Sequence, residues 1–325
     1  MSKAGTLLKG FVACVAMAAS ALAGAQSKYP SQPVKIVVPF AAGGQFDTVA
    51  RMIGHFASEK LGQPVVIENV SGGGGNIGAA KVARAEPDGY TLLTLGGNHT
   101  VAHALYAKPG YDVLHDFTPI ALVTVSPHVV LVNASLPVKT FGELVDYSKK
   151  HPGSLTYGTP GIGTSMHLTF EMIKQHYGLD ALHVPYRGGS KMLIDLAGGQ
   201  VKAGIVAIAP ALHLLKTGRV RALAVTSKER SPALPDVPAL SEIGYPSLDA
   251  GSWLGIVGPK GMPAEAVSRW SEVINAFVSD PASKGKLEAV GFRVEHTTPD
   301  QFAKFIREEY ETYGKVVRDN KISAQ

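Results

Sequence analysis

The sequence predicts an α/β protein of two units, each a mostly parallel sheet flanked by helices. Three observations carry this. Short β-branched runs alternate with stretches of helical periodicity along nearly the whole chain. Glycine-rich loops stand again and again between the end of a strand and the start of a helix. The length, 325 residues with a single cysteine, is enough to bury two cores without disulfides.

The first 25 residues stand apart. Lys3 and Lys9 precede an apolar stretch from Gly10 to Ala19, followed by the small-x-small patterns Ala21-Leu22-Ala23 and Ala23-Gly24-Ala25. This is the pattern of a secretory signal peptide over residues 1–25, with cleavage expected after Ala25 or, alternatively, after Ala23. Its apolar run is too short to span a bilayer. Cys14 lies within it, and acylation of Cys14 would leave almost no apolar segment ahead of the cysteine. A mature chain without cysteine excludes metal–thiolate and thiol redox chemistry. Losing Lys3 and Lys9, in a stretch without acidic residues, lowers the net charge from +5 to +3. Basic and acidic residues are interspersed, with no arginine-rich stripe, which argues against nucleic-acid binding and leaves a mild attraction for small anions.

Val34 to Val38 reads as the first strand. Pro39-Phe40-Ala41-Ala42-Gly43-Gly44 then forms a turn into a helix in which Val49, Ile53 and Phe56 recur at helical spacing. The first N–H groups of such a helix have no partner within it and point, with the positive end of its dipole, at whatever occupies the loop. An anion can be held there without Lys or Arg. The unit then recurs. Val65 to Asn69 is a strand, Ser71 to Asn76 a glycine loop, and Ile77 to Ala85 a helix; Thr91 to Leu95 is a strand, and Gly96-Gly97-Asn98 opens a helix through about Tyr106. These loops all leave the carboxyl ends of strands, so they gather along one edge, where ligands of open α/β sheets bind.

Strands Ile120 to Val125 and Val129 to Val132 lead to a second unit, whose first helix opens at Thr140-Phe141-Gly142-Glu143 with capping-box spacing. It continues with strand Leu155 to Tyr157, the loop Gly158 to Gly163, a helix from Thr164 to Tyr177, strand Leu182 to Val184 and the turn Pro185-Tyr186-Arg187-Gly188-Gly189-Ser190. Strands Val201 to Ile208 and Arg221 to Thr226 flank a helix from about Pro210 to Thr217. A proline-rich link, Ser231 to Pro238, leads to strand Trp253 to Val257. Helices enter at Pro263, at Asp280-Pro281 and at Thr298-Pro299-Asp300-Gln301.

Sharper readings of the glycine loops fail. Gly73-x-Gly75-x-x-Gly78 lacks the acidic residue about 20 positions on that a dinucleotide fingerprint needs. In Gly158-x4-Gly163-Thr164-Ser165, Thr164 stands where a phosphate loop has lysine. No Gly-x-Ser-x-Gly elbow and no His-Glu-x-x-His spacing is present, so no catalytic or metal-binding residues are assigned and no cofactor is expected.

Several stretches together resemble the substrate-binding component of tripartite tricarboxylate transporters. They are Val38-Pro39-Phe40-Ala41-Ala42-Gly43-Gly44 with Asp47 and Arg51, Leu61 to Asn69, Gly75-Asn76-Ile77-Gly78, Pro87 to Leu93, Tyr157 to Leu168, Val184-Pro185-Tyr186-Arg187-Gly188-Gly189 and Arg230 to Pro238. The likeness runs in order through the mature chain. It implies a two-lobed periplasmic binding protein, type II-like, with its ligand cleft between the lobes. Domain one would comprise residues 29–125 and 227–325 and domain two residues 126–226, hinged near Val129 to Val132 and Arg221 to Thr226. Such a receptor closes over a small carboxylate and delivers it to a membrane permease. The ligand would be an aliphatic di- or tricarboxylate, an acidic amino acid or an aromatic acid, and the receptor a monomer.

Carried over residue by residue, the resemblance places first-lobe contacts at Ala42, Gly43, Gly44, Gln45, Phe46, Asp47 and Asn98. Second-lobe contacts fall at Thr159, Gly161, Gly163, Thr164, Ser165, His167, Arg187, Gly188 and Gly189. The chain departs from the family pattern in carrying alanine at Ala42 where proline is common, arginine at Arg187 where lysine is frequent, and a bulky Phe46 where a small or hydroxylated residue is usual. Phe46 favours a planar or aromatic carboxylate over citrate, whose extra charges would lose water against an apolar face. Two alternatives stay open: a ligand sensor without its own permease, and an exported enzyme acting on a carboxylate.

Overall fold

The computed structural model describes residues 29–323 apart from 187, 247 and 290. The signal-peptide segment and Arg187 therefore lie outside the described residues.

Among the described residues, ten strands form two sheets that share one long strand. The first sheet opens with β1 (Val34–Val38), whose alternate residues bury on opposite faces: Val34, Ile36 and Val38 join one core and Val37 another. A strand buried on both sides needs helices on both sides. Helix α1 (Gln45–Leu61) leads to β2 (Val65–Asn69), which pairs parallel with β1. Helix α2 (Asn76–Ala83) leads to β3 (Thr91–Leu95), parallel on the other flank of β1. Two short helices follow, α3 (Gly97–Thr100) and α4 (Ala102–Leu105), where the sequence predicts one.

Strand β4 (Phe117–Asn133) then runs through both sheets without a break. The sequence reading gives two strands here, Ile120 to Val125 and Val129 to Val132. Pro127 is accommodated, opposite Gly251, at the point where β4 changes partners between the sheets, where a missing N–H costs least.

The second sheet continues from α5 (Phe141–Lys150) through β5 (Thr156–Thr159), α6 (Ser165–Tyr177), β6 (Leu182–Pro185), α7 (Gly189–Ala197), β7 (Ala203–Ala207), α8 (Ile208–Lys216) and β8 (Val220–Val225). Strands β6, β5 and β7 are mutually parallel, and both β7 and β8 run antiparallel to β4. Val130 and Val132 of β4 pack on one face with Phe170 of α6, and Val129 and Leu131 on the other with Met192 of α7. The chain returns to the first sheet through β9 (Gly251–Pro259), between β3 and β4 and antiparallel to both, and β10 (Arg293–Val294), paired with β4. Apart from β9 and β10 in the first sheet and β4 in the second, the described strands of each sheet point one way.

Helices α9 (Ala264–Ser279) and α10 (Pro281–Ala289) cover the first sheet with α1, through Trp270, Ile274, Phe277 and Leu287. Helix α11 (Pro299–Asp319) starts with the capping box that its sequence promises: Gln301 N–H donates to Thr298 Oγ1 at 3.2 Å and Thr298 N–H to Gln301 Oε1 at 2.9 Å. Phe302 and Ile306 bury against the first sheet, whereas Tyr313 and Val317 pack with Leu168 of α6 on the second. One helix thus buttresses both lobes.

The crossing between sheets is tied by Thr226. Its N–H donates to the carbonyl of His128 at 3.0 Å, its hydroxyl to the carbonyl of Ala250 at 2.6 Å, and it accepts from His128 N–H at 2.9 Å. Carboxyl ends of strands from both sheets converge there, so the fold alone places the loop edges face to face.

Candidate ligand-binding site

Between those loop edges lies a cavity of ≈ 320 Å³. Phe40, Phe46, Gly74, Gly97, Asn98, Leu105 and Tyr106 line it from the first lobe, and Pro160, Ile162, Gly163, Thr164, Ser165 and Met166 from the second; Ser252 and Trp253 of β9 close one side. None of these described lining residues carries a charge. A second cavity of ≈ 270 Å³ lies away from the glycine loops, between Ser227–Ala233 and Glu288–Arg293, where Arg230 and Arg293 are already paired with Glu242 and with Glu295 and Asp249.

One wall is aromatic. Phe46, in the first turn of α1, lies half-buried with its ring 4.8 Å from that of Phe40 at 54°. It rests directly on Gly96, where a Cβ would overlap the ring. Trp253 is held from behind: its indole N–H donates to Glu309 Oε2 at 2.9 Å, and its ring meets Phe302 and Phe305 edge-on. Burial pushes the Glu309 carboxyl up to about 7. At the mouth, Gly163 has φ +71° and its backbone lies against Leu105, so any side chain at 163 would collide across the cleft.

The other wall is polar without being charged. Asn98 lines it and donates to the Gly74 carbonyl at 2.6 Å, tying two first-lobe loops together. Thr164 caps α6: its Oγ1 accepts from His167 N–H at 3.3 Å and donates to the Gly161 carbonyl at 2.8 Å. Ser165 begins the helix, with its hydroxyl 3.1 Å from Ser252 Oγ and 3.4 Å from His128 Nε2. The amino end of a thirteen-residue helix therefore faces the cavity beside two hydroxyls.

Of the residues expected at the site, Phe46, Asn98, Gly163, Thr164 and Ser165 line the cavity. The rest are placed otherwise. Ala42, Gly43 and Gly44 are exposed beyond the lining, and Gln45 is half-buried beside them. Asp47 is buried and does not line the cavity. Its Oδ2 accepts from Gly43 N–H and Arg51 Nε, and its Oδ1 from Asn69 Nδ2, each at 2.9 Å. The Arg51 hydrogen bond is the main reason its carboxyl is held down at about 2.

His167 is likewise committed, accepting from Gly163 N–H at Nδ1 over 3.1 Å while its ring stacks on His183 at 3.9 Å. Thr159 is fully buried, with Oγ1 2.7 Å from His183 Nε2. Burial lowers His167 to about 4 and His183 to about 3, so both are neutral near pH 7. Gly161 holds Thr159 and Thr164. Gly188 donates its N–H to the Pro160 carbonyl at 2.9 Å, and Gly189 follows as the first residue of α7, a helix the sequence reading missed.

The missed lining residues divide by signal. Phe40, Gly74, Gly97, Pro160 and Ile162 stood in loops already singled out, and Leu105, Tyr106 and Met166 in helices that follow such loops. Ser252 and Trp253 come from the start of a strand and carried none.

Two α/β lobes joined by crossing strands, with glycine loops and helix starts around an interlobe cavity, define a solute-binding receptor of the periplasmic type. Residues 49–322 match the sequence profile of the tripartite tricarboxylate transporter family receptor, and the chain belongs to that family. Protein BugT of Bordetella pertussis is 33% identical over 311 residues, covering 95% of this chain and 94% of its own. The solved structure of R. palustris Rpa4515 with adipate is 34% identical at a TM-score of 0.79, over 91% of this chain and 100% of that one. The periplasmic binding protein BugD is similar at 33% identity and a TM-score of 0.75, again over 91% and 100%. The chain is a periplasmic solute-binding receptor rather than an enzyme.

Proposed function

We propose that the cavity takes a small carboxylate with a planar or aromatic body, which the receptor carries as a monomer to a membrane permease of the tripartite type. The observation that supports this most is the division of the lining: aromatic Phe40, Phe46 and Trp253 on one side, and the amino end of α6 with Ser165 and Ser252 on the other, without a charged side chain among the described residues. A carboxylate meets N–H and O–H donors at one end, worth about 0.3 to 1 kcal/mol for each helix terminus and up to about 2 when partly buried. Its ring meets apolar faces at the other. Citrate would bring extra charges against those faces with nothing to pair them.

Within this reading Phe46, Asn98, Gly163, Thr164 and Ser165 contact ligand, while Asp47, Thr159 and His167 shape the loops. Domain one comprises residues 29–125 and 227–325 and domain two residues 126–226, with the hinge near Val129 to Val132 and Arg221 to Thr226. Residues 1–25 direct export. The relative solved with adipate supports a carboxylate of some kind.

A thermal-shift screen of ligand-free protein against benzoate, adipate, malate, aspartate and citrate tests it. A true ligand at 100 times its Kd stabilises by about 2.7 kcal/mol, a shift of several degrees. Benzoate is expected to bind and Phe46→Ala to lose it selectively. Best binding by citrate, with Phe46→Ala silent, contradicts the proposed ligand class.

A further inference from the structure

Three polar groups from three different elements meet beneath the cavity. His128, at the crossing of β4 between the sheets, is fully buried. Its Nε2 lies 3.2 Å from Ser252 Oγ on β9 and 3.4 Å from Ser165 Oγ on α6, and those two hydroxyl oxygens are 3.1 Å apart. The other ring nitrogen, Nδ1, is buried without a partner among the described residues. Ser165 and Ser252 both line the cavity, whereas His128 does not.

We infer that His128 directs the protons of this cluster, donating from Nε2 to Ser252 so that Ser252 donates to Ser165 and the Ser165 hydroxyl is left to donate into the cavity, making the site select an anionic oxygen. The proposal rests on the carboxylate reading above and names the residues that enforce it.

A buried N–H with no acceptor is rarer and costlier than an unmatched lone pair. With Nδ1 unpartnered, the favourable neutral tautomer therefore keeps its proton on Nε2, where both hydroxyl oxygens stand. Burial, which holds the imidazole down at about 3, keeps it neutral and hence limited to one proton. Once Ser252 Oγ accepts from the ring, its own proton has Ser165 Oγ as the near acceptor. Among the described residues, the Ser165 proton then has only the Met166 sulfur, 3.7 Å away and a poor acceptor, as an alternative to the cavity. Beside it, the first N–H groups of α6 are donors as well. A ligand presenting two lone-pair oxygens satisfies this end; one presenting an ammonium or hydroxyl proton does not. Because Ser165 stands on α6 of the second lobe and Ser252 on β9 of the first sheet, the chain of donors is complete only when α6 stands against β9.

The test uses the full-length mature protein. Long-range ¹H–¹⁵N correlation of ¹⁵N-histidine-labelled protein, with His128 assigned by His128→Gln, reads the tautomer without any ligand, and calorimetry with benzoate, adipate and malate as probes reads affinity. The expected results are an Nε2-protonated His128 and a Ser252→Ala variant that folds normally and binds the best of the three about tenfold more weakly. Ser252→Thr, which retains the hydroxyl, restores most of the loss. An Nδ1-protonated His128, or a Ser252→Ala affinity within twofold of wild type, overturns the relay while leaving carboxylate binding intact. Folded wild-type protein that binds none of the probes overturns the carboxylate reading and the selectivity argued from it together.

Discussion

Asp47, His99 and His167 each capture the N–H of a glycine just upstream: Gly43 by Asp47, Gly96 by His99 Nδ1 at 3.1 Å, and Gly163 by His167 Nδ1. All three glycines stand where a strand hands over to a helix, and each capture fixes the loop while leaving later N–H groups of the helix free. Asp47, which sits at a helix start and is expected at the site, thus has its carboxylate hydrogen-bonded within and around its own loop. An anion is already present there, and it is the protein's own. Asp47 has a folded-state pKa of about 2, below its ordinary 3.8. Its contribution is therefore complete above pH 4 and lost as pH falls towards 2. Asp47→Asn is expected to lower stability by about 1 to 3 kcal/mol at pH 7, the range for a hydrogen bond to a charged group. It should also flatten the acid limb of the stability curve between pH 4 and 2; an unchanged limb in urea titrations at stepped pH would contradict this.

Helix starts divide into those that only stabilise and those that also face the cavity. Thr298 and Thr164 both cap their helices through Oγ1. Replacing either by alanine should cost about 1 kcal/mol of stability. Only Thr164→Ala should weaken ligand binding as well, because only Thr164 lines the cavity; equal affinities for the two variants would detach α6 from the site. The Thr298 cap was legible in the sequence, since Thr-x-x-Gln ahead of a periodic run states its own structure, whereas Thr164 was read as the first residue of its helix and not as the cap. Helix α7 was not legible. It starts at Gly188-Gly189 without a side-chain cap, so its entry reads as more turn. The unbroken β4 was hidden for the opposite reason, because proline normally ends a strand and only the change of partner sheet at Pro127 permits it. In the site, glycine loops announced the elements but not which way each side chain turns. That depends on partners such as Asn69 and His183, which are remote in sequence. Ser252 and Trp253 reach the cavity because β9 inserts between β3 and β4, a tertiary fact with no local signature.

At the scale of the whole molecule, the lobes meet at two places: Leu105 lies over Gly163 at the cavity, and the Tyr313 hydroxyl of α11 stands 3.3 Å from Thr169 Oγ1 of α6. Three histidines, His99, His128 and His167, are buried around this arrangement and His183 is half-buried; His99 and His167 are lowered to about 4 and His128 and His183 to about 3, desolvation being the leading cause in each. In the unfolded chain they take up protons near their ordinary value of 6.5, while the folded protein does not. Stability is therefore full above pH 6.5 and falls from there towards pH 4, by up to about 1.4 kcal/mol per pH unit for each histidine. A melting temperature unchanged between pH 7 and 5 would contradict their burial. The central claim is that an uncharged cavity between the lobes receives a carboxylate. Ile162 tests it most directly, because it lines the cavity yet is 45% exposed, so a charge there does not burden the core. Calorimetric titration of Ile162→Asp with the carboxylate that wild type binds should show affinity reduced at least tenfold, by repulsion in a site of low dielectric, with the melting temperature of the free protein unchanged. Wild-type affinity in a folded Ile162→Asp protein would place the ligand elsewhere.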